Sequence, residues 1–336
     1  MITHNVDLKS YNTFGISVQA KQFTSFSNVE ELKQIFSVKE KELPYMILGG
    51  GSNILFTKDF DGLILKNEIL GFEIVHKEGN DVFVKAGAGE NWHSFVIRTI
   101  NLNLGGLENL SLIPGNVGAS PMQNIGAYGK EIKDVFHSLE AYHIESGEVH
   151  VFDNQSCNFG YRESIFKQAL KNQYIILNVT YKLSKEHQLN TSYGVIEEEL
   201  RKMEVTNPTI KDISNAVISI RNSKLPNPKE LGNAGSFFKN PVIKKEVAEE
   251  LKLKHPDIPF YPSGENSVKL AAGWLIEKAG WKGKTFSTFG VHKLQALVLV
   301  NYGGATGNEI FTLSEQILQD VQNKFGVTLE REVNIL

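Results

Sequence analysis

The sequence predicts an α+β protein in three pieces: a small N-terminal domain, a larger sheet domain and a C-terminal α/β domain. Three observations predict this division. Strand-like segments follow one another between Asp61 and Leu183. Amphipathic helical spacing appears later, at Val268–Ala279 and Asn308–Phe325. Between these regions, Arg221–Lys229 has the prolines of a linker.

Each element rests on its own pattern of apolar residues. Val29–Phe36 has helical spacing, and Pro44–Leu48 is typical of a buried strand. The final segment, Val327–Leu336, alternates strictly, so that Glu330 and Glu332 lie on the face opposite its apolar residues. The other predicted elements are a helix at Trp92–Asn101 and strands at Gly62–Leu65, Val82–Ala86, Phe136–His143, Ile175–Leu183 and Ala296–Asn301.

Composition excludes several classes of protein. The 336 residues are 41% hydrophobic and 22% charged, which is ordinary for a soluble globular chain. The formal net charge of −3 does not favour binding to nucleic acid or to an acidic membrane. A single cysteine, Cys157, rules out an internal disulfide, and the histidines lack metal-ligand spacing. The spacing of the histidines therefore predicts no metal site. No secretory signal or membrane-spanning run is found, so we expect a cytoplasmic protein.

The run Ile113–Gly129, IPGNVGASPMQNIGAYG, is the most unusual segment of the chain. It is rich in glycine and amide side chains and contains no lysine, arginine, aspartate or glutamate. Such a segment is a poor helix or strand, but it can present backbone N–H groups to an anion that comes very close. It is therefore a candidate phosphate-binding loop; the alternative is an ordinary surface loop rich in turns.

A second candidate phosphate loop, Gly49–Asn53, follows the predicted strand at Pro44–Leu48. It is not a dinucleotide fingerprint, because Ile54 stands where the last glycine is required. It is not a Walker loop, because no Gly-Lys-Ser/Thr follows. A tight turn between two strands explains this segment equally well.

Two further residues have the surroundings of functional groups. Arg162 lies among aromatic residues in CNFGYRES, and a partly buried guanidinium needs an anion, either a ligand or a structural partner such as Glu163. Ser236 lies on a turn of small residues before two phenylalanines, where a ligand can approach its hydroxyl. The segment is not G-x-S-x-G, so a hydrolase nucleophile is not expected, and a plain turn serine is the alternative.

Taken together and in order, these segments resemble the UDP-N-acetylenolpyruvoylglucosamine reductases. The motifs that carry the resemblance are YNTFGI (11–16), LGGGSNIL (48–55), IPGNVGASPMQNIGAYG (113–129), CNFGYRESIFK (157–167), RNSKLPNP (221–228), GNAGSFFKNP (232–241), SVKLAAGWLIEKAG (267–280) and LEREV (329–333). They span essentially the whole chain. The resemblance implies an FAD enzyme of peptidoglycan precursor synthesis with a vanillyl-alcohol-oxidase-type (PCMH-type) flavin fold and a C-terminal α/β substrate domain, in the subfamily with a tyrosine substrate loop.

The resemblance also implies a division of the chain and a set of site residues. Residues 1–65 and 66–218 would bind FAD, with the substrate loop near 185–195; residues 219–326 would bind substrate, and 327–336 would return Glu332 to the site. The implied catalytic residues are Arg162, Ser236 and Glu332. The implied FAD contacts are Gly49, Gly50, Gly51, Ser52, Asn53, Pro114, Gly115, Val117, Gly118, Gln123, Asn124, Gly126, Ala127, Tyr128 and Arg221. The implied substrate contacts are Tyr161, Tyr193, Lys224, Asn233, Tyr261 and Gln295.

In the implied reaction, NADPH reduces the flavin, which then delivers hydride to the enolpyruvyl ether of UDP-N-acetylglucosamine enolpyruvate. Ser236 would supply the proton, while Arg162 and a protonated or hydrogen-bonded Glu332 would hold the substrate carboxylate. A monomer that binds neither nucleic acid nor membrane is expected. The alternatives are an FAD oxidase of the same fold and a non-catalytic protein that binds a sugar nucleotide.

Overall fold

The computed structural model describes residues 1–192 and 194–336. The chain divides into two compact units. The first comprises Met1–Val6, Ala20–Gly50 and Asp61–Ser223, and the second comprises Asp7–Gln19, Gly51–Phe60 and Lys224–Leu336. We call them unit 1 and unit 2. The finer division at residues 65, 218 and 326 stays a prediction.

Several helices begin at a residue whose side chain caps them. Asn28 accepts the N–H of Glu31 at the start of the first helix, and Thr306 and Glu309 form a reciprocal capping box at the start of the last, which ends at a left-handed Gly326. Within the described residues no helix has both the length and the apolar character needed to cross a bilayer. The α-helices are α1 (Val29–Val38), α2 (Trp92–Asn101), α3 (Gly194–Lys202), α4 (Ile210–Lys224), α5 (Lys245–Lys254), α6 (Ala272–Lys278) and α7 (Gly307–Phe325).

Strands are short in most of the chain and longest in the middle. The strands are β1 (Thr3–Asp7), β2 (Gln19–Phe26), β3 (Tyr45–Leu48), β4 (Ile54–Leu55), β5 (Phe60–Asn67), β6 (Phe72–Glu78), β7 (Asp81–Gly87), β8 (Gly126–Ala127), β9 (Lys130–Glu131), β10 (Phe136–His143), β11 (Val149–Asp153), β12 (Tyr174–Ser184), β13 (Gly232–Asn233), β14 (Val242–Lys244), β15 (Phe260–Pro262), β16 (Ser267–Leu270), β17 (Thr285–Phe286), β18 (Phe289–Val291), β19 (Leu299–Asn301) and β20 (Asn334–Ile335).

Unit 1 is built around an antiparallel sheet with the strand order β11-β10-β12-β7-β6. Alternate residues of β7 and β12, such as Val84 and Tyr181, are fully buried against α2 and the loop at Val117. Cys157 belongs to the same core, and burial raises the pKa of its thiol to about 12, so it is protonated at neutral pH. A second sheet, β1-β2-β5-β3, contains a parallel pair between β3 and β5.

Unit 2 contains smaller sheets beside the long helix α7. Strands β13-β19-β18-β17 form one sheet and β14-β16-β15 another, while β20 pairs in parallel with β4. Helix α7 buries one face, which includes Ile310, Ile317 and Val321. Gly307 begins this helix against the chain at Phe56, whose carbonyl oxygen would overlap a Cβ added to Gly307. The helix and the segment around β4 are therefore in close contact.

Several predicted elements have the predicted bounds, and others do not. The helix at Trp92–Asn101 and the strand at Phe136–His143 are confirmed without a shift. The helical prediction for Val268–Ala279 is wrong in its first part, because residues 267–270 form β16 between β14 and β15. The linker prediction is wrong for residues 221–224, which are the last turn of α4. Buried and exposed residues alternate at the start of the C-terminal segment, as predicted. Within this segment, however, the continuous strand comprises Asn334–Ile335 alone.

Candidate active site

The first half of the glycine-rich run lies in unit 1, hydrogen-bonded to the chain around the start of α2. The N–H groups of Val117 and Gly118 donate to the carbonyls of Glu90 (2.9 Å) and Ala88 (3.0 Å), and the N–H of Trp92 donates to the carbonyl of Gly115 (3.0 Å). Val117 and Gly118 were predicted to contact FAD; their backbone donors are used within the protein. Any contact they make with the cofactor therefore uses other atoms.

The second half of the run is held by Asn124, a predicted FAD contact. This residue is buried with a left-handed φ of 44°. Its amide nitrogen donates to Glu131 Oε2 (3.0 Å) and to the carbonyl of Gly160 (3.0 Å), and its oxygen accepts the N–H of Lys133 (3.1 Å). The side chain of Asn124 thus shapes the loop, while Gln123, Gly126, Ala127 and Tyr128 are partly accessible.

Three backbone donors in this region have no acceptor in the part of the chain that the structure describes: the N–H groups of Gly50, Gly115 and Asn116. They lie close together, because a Cβ on Gly50 would be 2.8 Å from Gly115 Cα and 2.8 Å from Asn116 Oδ1. Only glycine permits this approach. Adjacent unused N–H groups are the arrangement that binds phosphate oxygens, so this corner fits one end of a diphosphate.

Arg162, in unit 1, lies beside the second half of the glycine-rich run Ile113–Gly129. Its φ is 58°, and its Nη2 donates to the carbonyl of Gly126 at 2.7 Å. The guanidinium carbon is 5.3 Å from the ring centroid of Tyr161, the predicted substrate contact. Glu163, the structural partner considered above, has its carboxylate 3.8 Å from Lys167 Nζ. The structure therefore brings the predicted catalytic arginine into contact with the predicted cofactor loop.

Arg221 lies in the last turn of α4 and has a buried side-chain nitrogen. Among the residues that the structure describes, this Nε has no hydrogen-bond acceptor. No carboxylate pairs with Arg221 among residues 1–192 and 194–336, and Tyr128 is its side-chain partner. Burial lowers the pKa of Arg221, and Tyr128 opposes this shift. A partly buried guanidinium with a buried, unused donor fits an electron-rich ligand group, as predicted for a residue beside the flavin.

His93, in the first turn of α2, is a residue of this corner that the sequence analysis did not select. Its Nδ1 accepts the N–H of Leu112 at 3.0 Å, immediately before the glycine-rich run. Burial, and then the charge of Arg221, lower the pKa of His93, so that the ring is neutral at pH 7. No sequence motif marks this residue, because its partner is a backbone group in a distant segment.

Unit 2 brings Ser236 and Glu332 together through backbone pairing. The N–H of Glu332 donates to the carbonyl of Phe237 (2.9 Å), Phe238 and Arg331 form an antiparallel bridge, and the N–H of Lys239 donates to the carbonyl of Glu330 (2.9 Å). Asn53 joins the same corner, since its Nδ2 donates to the carbonyl of Glu332 at 3.2 Å. The segments that carry Asn53, Ser236 and Glu332 are therefore adjacent in unit 2.

Hydrogen bonds of Asn233 shape the turn at residues 233–236, which carries Ser236. Gly235 has a left-handed φ of 68°, and its N–H donates to Asn233 Oδ1 at 2.9 Å. The Nδ2 of Asn233 donates to the carbonyls of Pro226 (3.2 Å) and Leu231 (2.8 Å). Asn233, predicted to bind substrate, is 4% exposed, and its amide is engaged within the turn.

The remaining predicted substrate residues differ in their surroundings. Lys224 is exposed at the end of α4, and Tyr261, on β15, is 43% exposed. Gln295 is partly buried, and its Oε1 accepts the N–H of Leu297 at 3.3 Å. Tyr193 lies outside the described residues. In the part of the chain that is described, no group of three or more histidine, cysteine or acidic side chains is arranged to hold a metal ion.

Comparisons with known proteins identify the class of protein. The family described as FAD binding domain matches residues 20–153. The fold resembles the crystal structure of UDP-N-acetylenolpyruvylglucosamine reductase from Thermus caldophilus, with a TM-score of 0.69 at 23% identity over 100% of this chain and 99% of that one. It also resembles p-cresol methylhydroxylase, with a TM-score of 0.51 at 12% identity over 97% and 84% of the two chains. The predicted α+β, PCMH-type flavoprotein fold is confirmed.

The particular family follows from the sequence relatives. The family described as UDP-N-acetylenolpyruvoylglucosamine reductase, C-terminal domain, matches residues 227–336. Reductases of that name from Flavobacterium johnsoniae and Pseudomonas aeruginosa are 56% and 46% identical, covering 100% and 99% of this chain and 99% and 98% of their own. The chain belongs to the UDP-N-acetylenolpyruvoylglucosamine reductase family, as its motifs predicted.

Proposed function

We propose that this protein reduces UDP-N-acetylglucosamine enolpyruvate to UDP-N-acetylmuramate, with NADPH as reductant and FAD as cofactor, in the synthesis of peptidoglycan precursors. Family membership over the full chain supports the overall reaction. The proposal includes a monomeric, cytoplasmic enzyme. When bound, FAD supplies the hydride chemistry: it is reduced by NADPH and reduces the enolpyruvyl double bond.

The residues of unit 1 would hold the cofactor. The unused N–H groups of Gly50, Gly115 and Asn116 would bind diphosphate oxygens, which explains why the loop carries no charged side chain. The buried Nε of Arg221 would donate to the flavin ring. Arg162, which donates to the carbonyl of Gly126 in this loop, would reach the substrate carboxylate, because a planar guanidinium can bind both carboxylate oxygens.

The residues of unit 2 would deliver the proton. Hydride addition to the methylene carbon pushes negative charge toward the substrate carboxylate, and the adjacent carbon must then take a proton. Ser236 would donate this proton, and Glu332 would hydrogen-bond to the carboxylate. The observation that supports this assignment is the backbone bond between Glu332 and Phe237, the residue that directly follows Ser236. A serine hydroxyl has a high pKa, so it protonates only a strongly basic carbanion.

The diphosphate of the substrate needs a cation, and the exposed Lys224 would supply it. The direct contacts in the proposal also include Tyr161, Tyr193 and Tyr261. Asn233 and Gln295 were predicted to contact the substrate too, but both bond within unit 2, so we propose that they act mainly by shaping the turns that carry their neighbours.

The test follows the absorbance of purified protein through the two half-reactions. We expect yellow protein that NADPH bleaches without oxygen and that UDP-N-acetylglucosamine enolpyruvate then reoxidises. Protein that is colourless and takes up no added FAD would contradict the proposal. Reoxidation by oxygen but not by the enolpyruvyl substrate would support an oxidase of the same fold, and binding of the sugar nucleotide without any flavin reduction would support a non-catalytic protein.

A further inference from the structure

Leu112 has an unusual backbone conformation at the point where the glycine-rich run begins. Its φ is 60°, in the left-handed region that disfavours residues with a Cβ atom. Such a conformation persists only where surrounding contacts hold it. The residues that follow, Gly115 and Asn116, carry two of the unused N–H groups proposed to bind the cofactor diphosphate. The position of these donors therefore depends on how Leu112 is held.

The first turn of α2 forms hydrogen bonds with the chain on both sides of Leu112. The indole Nε1 of Trp92 donates to the carbonyl of Leu110 at 2.9 Å, and the backbone N–H of Trp92 donates to the carbonyl of Gly115 at 3.0 Å. Between these two bonds, His93 Nδ1 accepts the N–H of Leu112 at 3.0 Å. Of the three bonds, the one to His93 acts on the left-handed residue itself.

We propose that His93 is a positioning residue for FAD binding: its neutral ring, through Nδ1, holds the left-handed turn at Leu112 and so aims the N–H groups of Gly115 and Asn116. The inference rests on the proposed FAD site. Accepting a hydrogen bond at Nδ1 requires a lone pair there, so the neutral ring carries its proton on Nε2. A protonated His93 has no lone pair at Nδ1 and cannot make this bond.

The surroundings of His93 favour the neutral ring that can accept the hydrogen bond from Leu112. Burial lowers its pKa, and the positive charge of Arg221 on α4 lowers it further. In the described part of the chain Arg221 is the charged group whose field acts on His93, and the side chain of Tyr128 bonds to Arg221 on its other side. Arg221 would thus have two roles: it would contact the flavin and keep the anchoring histidine neutral.

Two amide variants separate the anchor from general packing. In His93→Asn the side-chain oxygen takes the place of Nδ1, whereas in His93→Gln it extends to the place of Nε2. We expect His93→Asn to bind FAD with an affinity within about twofold of the original protein, and His93→Gln to bind it about tenfold more weakly, the size of one lost hydrogen bond. Equal affinities in the two variants, measured by quenching of FAD fluorescence, would overturn the proposal.

A double-mutant cycle tests the mechanism through Leu112. Glycine adopts a left-handed φ without strain, so Leu112→Gly lessens the need for the anchor. We expect His93→Leu to weaken FAD binding about tenfold in the original protein, but by less than about threefold in the Leu112→Gly background. The same loss in both backgrounds would show that His93 does not act on this turn.

Hydrogen exchange of the apoprotein gives a readout that does not depend on FAD. The amides of residues 112–118 should exchange faster in His93→Gln than in His93→Asn, while those of β10 and β12 stay unchanged. Unchanged exchange at 112–118 would contradict the anchor. If the original protein binds no FAD but the exchange difference is present, the proposed function fails and the anchor stands.

A pH titration of FAD affinity adds a fourth test. The pKa of His93 is lowered in the folded protein, so its neutral form, and with it the Leu112 bond, is present above the ordinary histidine pKa of about 6.5 and is lost as pH falls through the lower folded value. FAD affinity should therefore fall with acidity more steeply in the original protein than in His93→Asn. Parallel pH profiles would argue against a role for His93 protonation.

Discussion

The two units hold their functional groups in different ways. In unit 1 the proposed FAD site consists largely of backbone N–H groups on glycine-rich loops, and its geometry depends on how closely Gly50 and Gly115 approach. In unit 2 the proposed proton donor, Ser236, and its neighbour Glu332 are side chains from distant segments that strand-like pairing brings together. A site made of backbone depends on the absence of a Cβ, while a site made of side chains depends on their identity.

The largest expected effect tests the side-chain site. In Ser236→Ala, NADPH should still bleach the flavin at the original rate, whereas reoxidation by the enolpyruvyl substrate should slow by about 10²–10⁴-fold, because only this half-reaction needs the proton. Stopped-flow absorbance measures both rates. In Ser236→Cys, which retains an ionisable donor, reoxidation should be faster than in Ser236→Ala. Normal reoxidation in the alanine variant would remove Ser236 from the acid role.

The next effect tests the backbone site, and the chain offers a matched control. An added Cβ at Gly50 would lie 2.8 Å from Gly115 Cα, whereas the nearest described atom to one at Gly49 would be Asn116 Cβ, at 3.8 Å. Neither glycine has a positive φ, so backbone strain does not separate the two. Gly50→Ala should weaken FAD binding by about 10–100-fold, as expected for overpacking between two loops, and Gly49→Ala by about threefold at most.

Fluorescence titration of the apoproteins gives both dissociation constants. Similar losses in the two variants would indicate that the approach of the two loops does not determine cofactor binding. A loss in Gly50→Ala that is confined to the reoxidation rate, with FAD affinity unchanged, would remove this corner from the diphosphate site.

The same contrast explains what the sequence could predict. Elements with a clear local pattern, such as α2 and β10, have the predicted bounds, because their apolar spacing is set within a few residues. Helix α4 has no counterpart among the predicted elements, and its last turn lies in the stretch Arg221–Lys229, whose prolines predict a linker. The apolar spacing of Val268–Ala279 predicts a helix throughout, because the pairing of the strand at its start with β14 and β15 is not visible in its own residues.

The candidate site shows the same limit. The glycine-rich loops are recognisable in the sequence, but which of their N–H groups are unused depends on partners such as Glu90 and Ala88, which lie elsewhere in the chain. His93 was missed for the same reason, since the group it binds is the backbone of Leu112. Residue identity thus predicts which segments form the candidate site, and tertiary hydrogen bonding determines which of their atoms remain available.

The smallest expected effect concerns the scaffold beside Glu332. Arg331 connects this segment to α7 by three contacts. Its Nε donates to the buried Ser314 Oγ at 2.8 Å, and its guanidinium pairs with Glu315. Its Cζ lies 4.7 Å from the ring centroid of Phe311. Arg331→Met should lower the free energy of unfolding by about 1–2 kcal/mol. It should also slow reoxidation by about tenfold, because Glu332 is the next residue and loses its fixed position.

Thr306→Ala is the control that separates stability from positioning. It removes the N-cap of the same helix and should cost about 1 kcal/mol, since Thr306 accepts the N–H of Glu309 in the capping box. Urea unfolding gives the stability of each variant, and stopped-flow absorbance gives the reoxidation rate. If the two variants lose similar stability but only Arg331→Met slows reoxidation, then the position of Glu332 is set by its own segment. Equal slowing in both would mean that unit 2 positions its side chains through overall stability, and the contrast between the two kinds of site would be weaker than the structure indicates.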